Sequence, residues 1–341
     1  MRWFSLVVLL AAAIAVAAPA APVRVAVTPP QAEGSGSAEP VSHFADPKTP
    51  LASLTDDPLL GKSPRVNGDE IKGLVAFTFD DGPNPETTPA VIDALEKYDI
   101  PATFFIVTQR LNGKHGEVPR DLLKRELDGH FLVGSHSVSH RNLKHAETDT
   151  VTKEIDASFR TLAKDADRAI GLFRPPYGAL SGTGRARLKK LGVTEVIWSV
   201  DTLDWKAHDA DKLRKKVLKM ILHDGGGIVL MHDVKPITAK IIDDVLDDLE
   251  AENCRRLGAK EEPIWPVSLH YFLRDDARTS RAIPADVTKR TDAYKAALPA
   301  RCAKRPKPAI GDFGVPNEKD RPKGAHTSTE CLANPLLKGC S

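Results

Sequence analysis

Short apolar runs recur along the middle of the chain at 74–79, 103–107, 131–133, 171–173, 193–200 and 228–231, with a weaker one at 267–272. Each has the length of a buried strand, and segments of helical spacing separate them. Val151, Ile155, Phe159, Leu162 and Ala166 recur three or four residues apart, as do Leu213, Val217 and Ile221, and then Ile241, Val245 and Leu249. Thr88 followed by Pro89 predicts an N-cap and a first helical residue for a helix over 89–98. About seven such alternations predict an α/β fold of parallel strands with helices outside, either closed as a barrel or open as a doubly wound sheet.

The two ends follow other rules. Met1 and Arg2 precede an almost unbroken apolar run over 4–17 and small residues through Ala21, the order of a cleavable secretory signal. Cleavage is expected after Ala18 or Ala20, and a membrane-spanning helix would need about 20 apolar residues. The protein is therefore expected to be secreted or periplasmic. Residues 21–70 are rich in Pro, Ser, Gly and Ala and predict a linker or loosely packed arm. The domain reading is a signal peptide over 1–20, this arm over 21–70, a catalytic domain over 71–275 and an extension over 276–341.

Composition narrows the function. The chain has 341 residues, with 48 Lys and Arg against 46 Asp and Glu, a formal charge of +2. So even a balance argues against nucleic acid as a partner, which calls for a strong positive field. In an oxidising compartment Cys254, Cys302, Cys331 and Cys340 predict two disulfides, with three connectivities open, and the extension is expected to be stapled by them. Its modest basic excess leaves association with an anionic cell-wall polymer open. Oligomeric state has no signature in the sequence.

The chemistry-bearing residues cluster after the predicted strands. Asp80 and Asp81 follow the first, His136 and His140 the third, 174–178 the fourth, 201–205 the fifth, and His232 with Asp233 the sixth. In a parallel barrel these positions emerge together at the C-terminal ends of the strands. Two histidines four apart would share one face of a helical turn and suit a metal, although such pairs also occur on solvated faces. Adjacent aspartates point in different directions, so one carboxylate can ligate a metal while the other stays free as a base. Together the set matches metal-assisted hydrolysis: ligands, a base for water and a histidine for the leaving group.

The phrases Thr78-Phe79-Asp80-Asp81-Gly82-Pro83, His136-Ser137-Val138-Ser139-His140, Arg174-Pro175-Pro176-Tyr177-Gly178, Asp201-Thr202-Leu203-Asp204-Trp205 and Leu230-Met231-His232 appear in this order. Over about 70–275 the chain thus resembles the polysaccharide deacetylases, the NodB-homology group or carbohydrate esterase family 4. The resemblance implies a single catalytic domain, a distorted (β/α) barrel of about seven parallel strands with extended N- and C-terminal segments. It also implies a divalent metal, zinc first and cobalt or another ion as alternatives, held by Asp81, His136 and His140. Asp80 would be the base, paired with Arg174, and His232 the acid, oriented by Asp204. Tyr177 would lend its backbone N–H to the oxyanion, and Trp205 and Leu230 would enclose the acetyl methyl. The implied reaction removes the N-acetyl group from N-acetylglucosamine-containing glycans such as chitin oligosaccharides or peptidoglycan. An O-acetyl esterase acting on acetylated xylan and a non-catalytic glycan-binding wall protein are the competing readings. The charged segment 250–266 and the tail depart from a minimal domain of this family.

Overall fold

In the computed structural model, residues 42–112, 116–276 and 278–305 are described. A short helix α1 (Leu51–Leu54) precedes the alternation of strands and helices. The first half runs β1 (Leu74–Asp80), α2 (Thr88–Tyr98), β2 (Ala102–Ile106), α3 (Glu117–Asp128), β3 (Leu132–Ser135), α4 (Thr148–Ala166) and β4 (Leu172–Phe173). The second half runs α5 (Gly182–Leu191), β5 (Thr194–Glu195), β6 (Val200–Asp201), α6 (Ala210–Asp224), β7 (Gly226–His232), α7 (Pro236–Gly258), β8 (Trp265–Pro266) and α8 (Ala285–Lys304).

The strands sort their side chains by the two-residue period. Val75, Phe77 and Phe79 of β1, Phe104 and Ile106 of β2, and Val229 and Met231 of β7 enter one large core with the helices. Ala76, Phe105, Leu172 and Ile228 belong to a second, smaller cluster with Val196 and Phe272. Alternation therefore carries Thr78 and Asp80 on the same face as Ala76, toward the barrel interior.

All pairings within the strands are parallel, in the order β5-β4-β3-β2-β1-β7-β6, with β8 beside Leu74 and Val75 of β1. Laid flat, seven strands about 4.8 Å apart would hold β5 and β6 about 29 Å from each other. Only residues 196–199 join those two outermost strands, and five residue steps reach at most about 18 Å. The sheet must therefore curl into a distorted barrel. Val66 stitches the seam: its N–H donates to Glu195 O at 3.0 Å and its carbonyl accepts from Ile197 N at 2.8 Å.

Several sequence expectations change. The apolar run over 193–200 is two short strands on opposite edges of the sheet, not one. The weak strand expected over 267–272 is not a strand: the two-residue β8 lies just before it, and Leu269–Phe272 form a 3₁₀ turn that places Leu269 and Phe272 three apart on the inner cluster. Helix α2 begins at Thr88, whose hydroxyl accepts from Asn84 N at 2.8 Å within the loop before it. The part of the proline-rich arm that is described is packed: Leu51, Leu54, Leu60 and Val66 are buried, and Ile170 N donates to Leu54 O at 2.9 Å. Helix α8 is attached to α7 by a Cys254–Cys302 disulfide and by ion pairs of Arg301 and Arg305 with Glu250. The signal segment, Cys331, Cys340 and the basic tail lie outside the described residues.

Leu54 is 1% exposed, so Leu54→Ala should destabilise the protein by about 3 kcal/mol in urea unfolding, as a core truncation does. A loose arm would give no change.

Candidate active site

The barrel mouth is organised around Arg174, the residue after β4. Its side chain is fully buried and lies 4.2 Å from the Phe105 ring centroid. One guanidinium nitrogen donates to Thr78 Oγ1 at 2.7 Å and Asp80 Oδ1 at 2.8 Å, and the others donate to Val196 O and Ile197 O at 3.3 Å. Burial draws its pKa below the ordinary value, against the opposing pull of Asp80. The backbone carbonyl of Arg174 is also used: it accepts from His136 Nδ1 at 2.7 Å. That bond fixes the tautomer and leaves Nε2 of His136 with a lone pair.

His136 and His140 do not share a helical turn. They flank a loop after β3 in which Ser137 and His140 take left-handed φ values of 67° and 58°. Glu154 of α4 holds this loop, accepting from Val138 N and Ser139 N at 3.0 Å and Ser139 Oγ at 2.6 Å. The turn brings the two ring centroids to 5.0 Å. Asp81 Oδ1 lies 3.6 Å from His136 Nε2 and 3.3 Å from His140 Nε2, and it is buried without a hydrogen-bond partner. One ligand atom from each residue lies within 4.8 Å of the others. A tetrahedral zinc with bonds of about 2.0–2.2 Å needs neighbouring ligand atoms about 3.3–3.6 Å apart. The orphaned carboxylate oxygen and the two imidazole nitrogens thus fit a divalent ion with a position left open. Burial pushes the Asp81 carboxyl up, but His136, His140, His232 and Arg110 outweigh it and hold its pKa down.

Across the mouth, His232 ends β7 and is the register partner of Asp80 on β1. Its Nδ1 lies 2.7 Å from Asp204 Oδ1, while Asp204 Oδ2 accepts from His232 N at 2.7 Å and Thr238 Oγ1 at 2.6 Å. Burial works to lower the pKa of His232, yet the hydrogen bond and charge of Asp204, with Asp80 and Asp81 nearby, raise it to about 9. Leu230 is buried two residues below His232 on the same strand face. Tyr177 and Trp205 are exposed, Tyr177 with its ring edge-on to His140 at 4.6 Å.

Seven of the residues expected from the sequence, Asp80, Asp81, His136, His140, Arg174, Asp204 and His232, are therefore joined by direct contacts or strand register. Glu154, Thr238 and Arg110 are additions, and Asp233, read in the sequence only as the neighbour of His232, joins them. Arg110 Nε donates to Asp81 O at 2.5 Å, and the fully buried Asp233 carboxyl is pushed up to about 7 by burial. A cavity of about 900 Å³ lies at the opposite ends of the strands, against α8, and none of these residues lines it.

A family model described as polysaccharide deacetylase matches residues 67–196, which carry Asp80, Asp81, His136, His140 and Arg174 and end before Asp204 and His232. The chain is 35% identical over 220 residues to a peptidoglycan-N-acetylglucosamine deacetylase of Listeria monocytogenes, covering 64% of this chain and 45% of that protein. It is 34% identical over 175 residues to a chitooligosaccharide deacetylase of Bradyrhizobium, covering 50% of this chain and 77% of that one. The match thus spans less than half of the Listeria protein. Among solved structures, a CE4 family pseudoenzyme from Bacillus anthracis is similar in fold, with a TM-score of 0.51 at 22% identity, covering 64% of this chain and 71% of that one.

In metal-free protein, the His232 imidazole should stay protonated until the pH approaches about 9. Asp204→Asn should bring that titration to lower pH, because the partner that favours the charged ring is gone. Side-chain ¹⁵N NMR of the histidines reads both, and an unmoved titration would rule Asp204 out as the cause.

Proposed function

The chain belongs to the polysaccharide deacetylase family, and on that premise we propose that it is an exported, metal-dependent enzyme that removes N-acetyl groups from N-acetylglucosamine-containing glycans. The catalytic domain is taken as 71–275, with 21–70 as its N-terminal arm and 276–341 as its extension. The observation that carries the reading is the register of Asp80 and His232 on adjacent strands, each with its own charged partner, beside a three-ligand set.

Asp81, His136 and His140 would hold the ion, with zinc favoured by two imidazoles and one carboxylate. When bound, it supplies carbonyl polarisation and brings the pKa of a water toward neutrality. Asp80 takes the proton of the attacking water, its carboxylate aimed by Arg174. His232 donates a proton to the departing nitrogen, and Asp204 keeps its ring oriented and its charge compensated. The backbone N–H of Tyr177 faces the acyl oxygen as negative charge builds there. Leu230 forms the floor of the methyl pocket and Trp205 its wall. Acetate and a free amine result.

A histidine held protonated by a buried carboxylate suits an amine, a leaving group that departs poorly without a proton, better than an alcohol. Peptidoglycan and chitin oligosaccharides are the substrates to test first, since they are what the named relatives act on. The signal segment supports export, and the basic tail supports contact with a wall polymer.

Acetate release should be measured with added zinc on N-acetylated glycans and on acetylated xylan. Activity on the ester alone would replace the amide reading, and glycan binding without any acetate would replace catalysis by recognition. Asp80→Asn should keep zinc and lower turnover about 10²–10⁴-fold, the usual worth of a general base. His140→Ala should lose zinc first; loss of zinc in Asp80→Asn instead would exchange the roles of the two aspartates.

A further inference from the structure

Asp233 follows His232 directly and has no solvent exposure. Its Oδ2 accepts from Thr88 Oγ1, and the Thr88 hydroxyl in turn accepts from Asn84 N at 2.8 Å. The carboxyl thereby reaches from the end of β7 to the loop after β1. A second contact is with Gly82, the residue after Asp81. The carboxyl lies so close to its Cα that a Cβ there would run into both oxygens and the carboxyl carbon. Oδ1 is buried without a partner. A carboxyl group is a poor choice for filling space, since an unpaired buried polar atom keeps its full desolvation cost.

Asp81 needs support from behind. Its φ is 77°, a left-handed conformation that a non-glycine residue keeps only where the surroundings impose it. Two ties come from the β2 side: Arg110 Nε to Asp81 O at 2.5 Å and Val107 N to Gly82 O at 3.2 Å. The tie from the β7 side is Asp233, through Gly82 and through Thr88 and Asn84.

We propose that Asp233 is a positioning residue that braces the Asp81 loop against the end of β7, fixing the metal ligand relative to the acid His232. This rests on reading Asp81, His136 and His140 as a metal cradle. Asp233 touches no reacting atom. It acts through Gly82 and Thr88.

The test compares the full chain with Asp233→Ala, Asp233→Asn and Thr88→Val by zinc titration against a chromogenic chelator, alongside thermal melts, kcat and KM. Asp233→Ala should weaken zinc by about tenfold or more, while Asp233→Asn, which keeps the volume and an acceptor for Thr88, should stay within about threefold. Thr88→Val should weaken zinc in the same direction, and the double variant with Asp233→Ala should be no weaker than Asp233→Ala alone. kcat should fall with KM retained. Unchanged zinc affinity in folded Asp233→Ala, with only a lower melting temperature, would overturn the proposal by reducing Asp233 to packing. Should Asp233→Ala fail to fold, Thr88→Val decides, and wild-type zinc affinity there overturns it equally. A wild-type protein that binds zinc but releases no acetate would refute the deacetylase reading while leaving the brace to stand or fall on the affinity ratios.

Discussion

A guanidinium with no solvent exposure inside a barrel is the constraint on which this structure turns. Burying such an ion costs several kcal/mol unless its hydrogen bonds are met, and Arg174 meets them with Thr78, Asp80 and the carbonyls of Val196 and Ile197. Those partners come from β1 and from the segment that joins the two outermost strands. Curling the sheet and fixing the carboxylate at its mouth are thus satisfied by one side chain. Its backbone carbonyl adds the tautomer of His136.

The same logic holds apart the two titratable groups that face each other across the mouth. Asp80 and His232 are register partners across a parallel ladder. Each is paired with a buried group of opposite sign, Asp80 with Arg174 and His232 with Asp204. Asp204 is itself held by Thr238 and by the backbone of His232. The two adjacent positions therefore belong to two separate buried networks, and the three-ligand set sits beside both.

Most of the barrel and its mouth was legible in the sequence, since strand and helix periods are local and the motif residues follow strand ends. What escaped depends on distant contacts. The run over 193–200 has the composition of one strand, and nothing local tells that Thr194 and Val200 pair on opposite edges of the sheet. Leu51 and Leu54 sit among prolines, so composition hid their burial. Helix α8 carries Pro299 and few apolar residues, and its attachment lies in Cys254, Glu250 and Asp247 far upstream. The spacing of His136 and His140 suggested a helical turn, whereas Glu154, one helix away, holds the loop that joins them. Asp233 was visible beside His232, but only the fold shows that its carboxyl lies against Gly82.

The segment 196–199 has an evolutionary consequence. Loops at the strand ends can lengthen without disturbing the barrel, because each is anchored by its own strand and helix. This connection cannot: added residues there would give the outermost strands slack, and Val196 O and Ile197 O would drift from the guanidinium they accept from. Within such a fold, insertions that diversify recognition should accumulate around the mouth, while the length of this one connection should vary little from chain to chain.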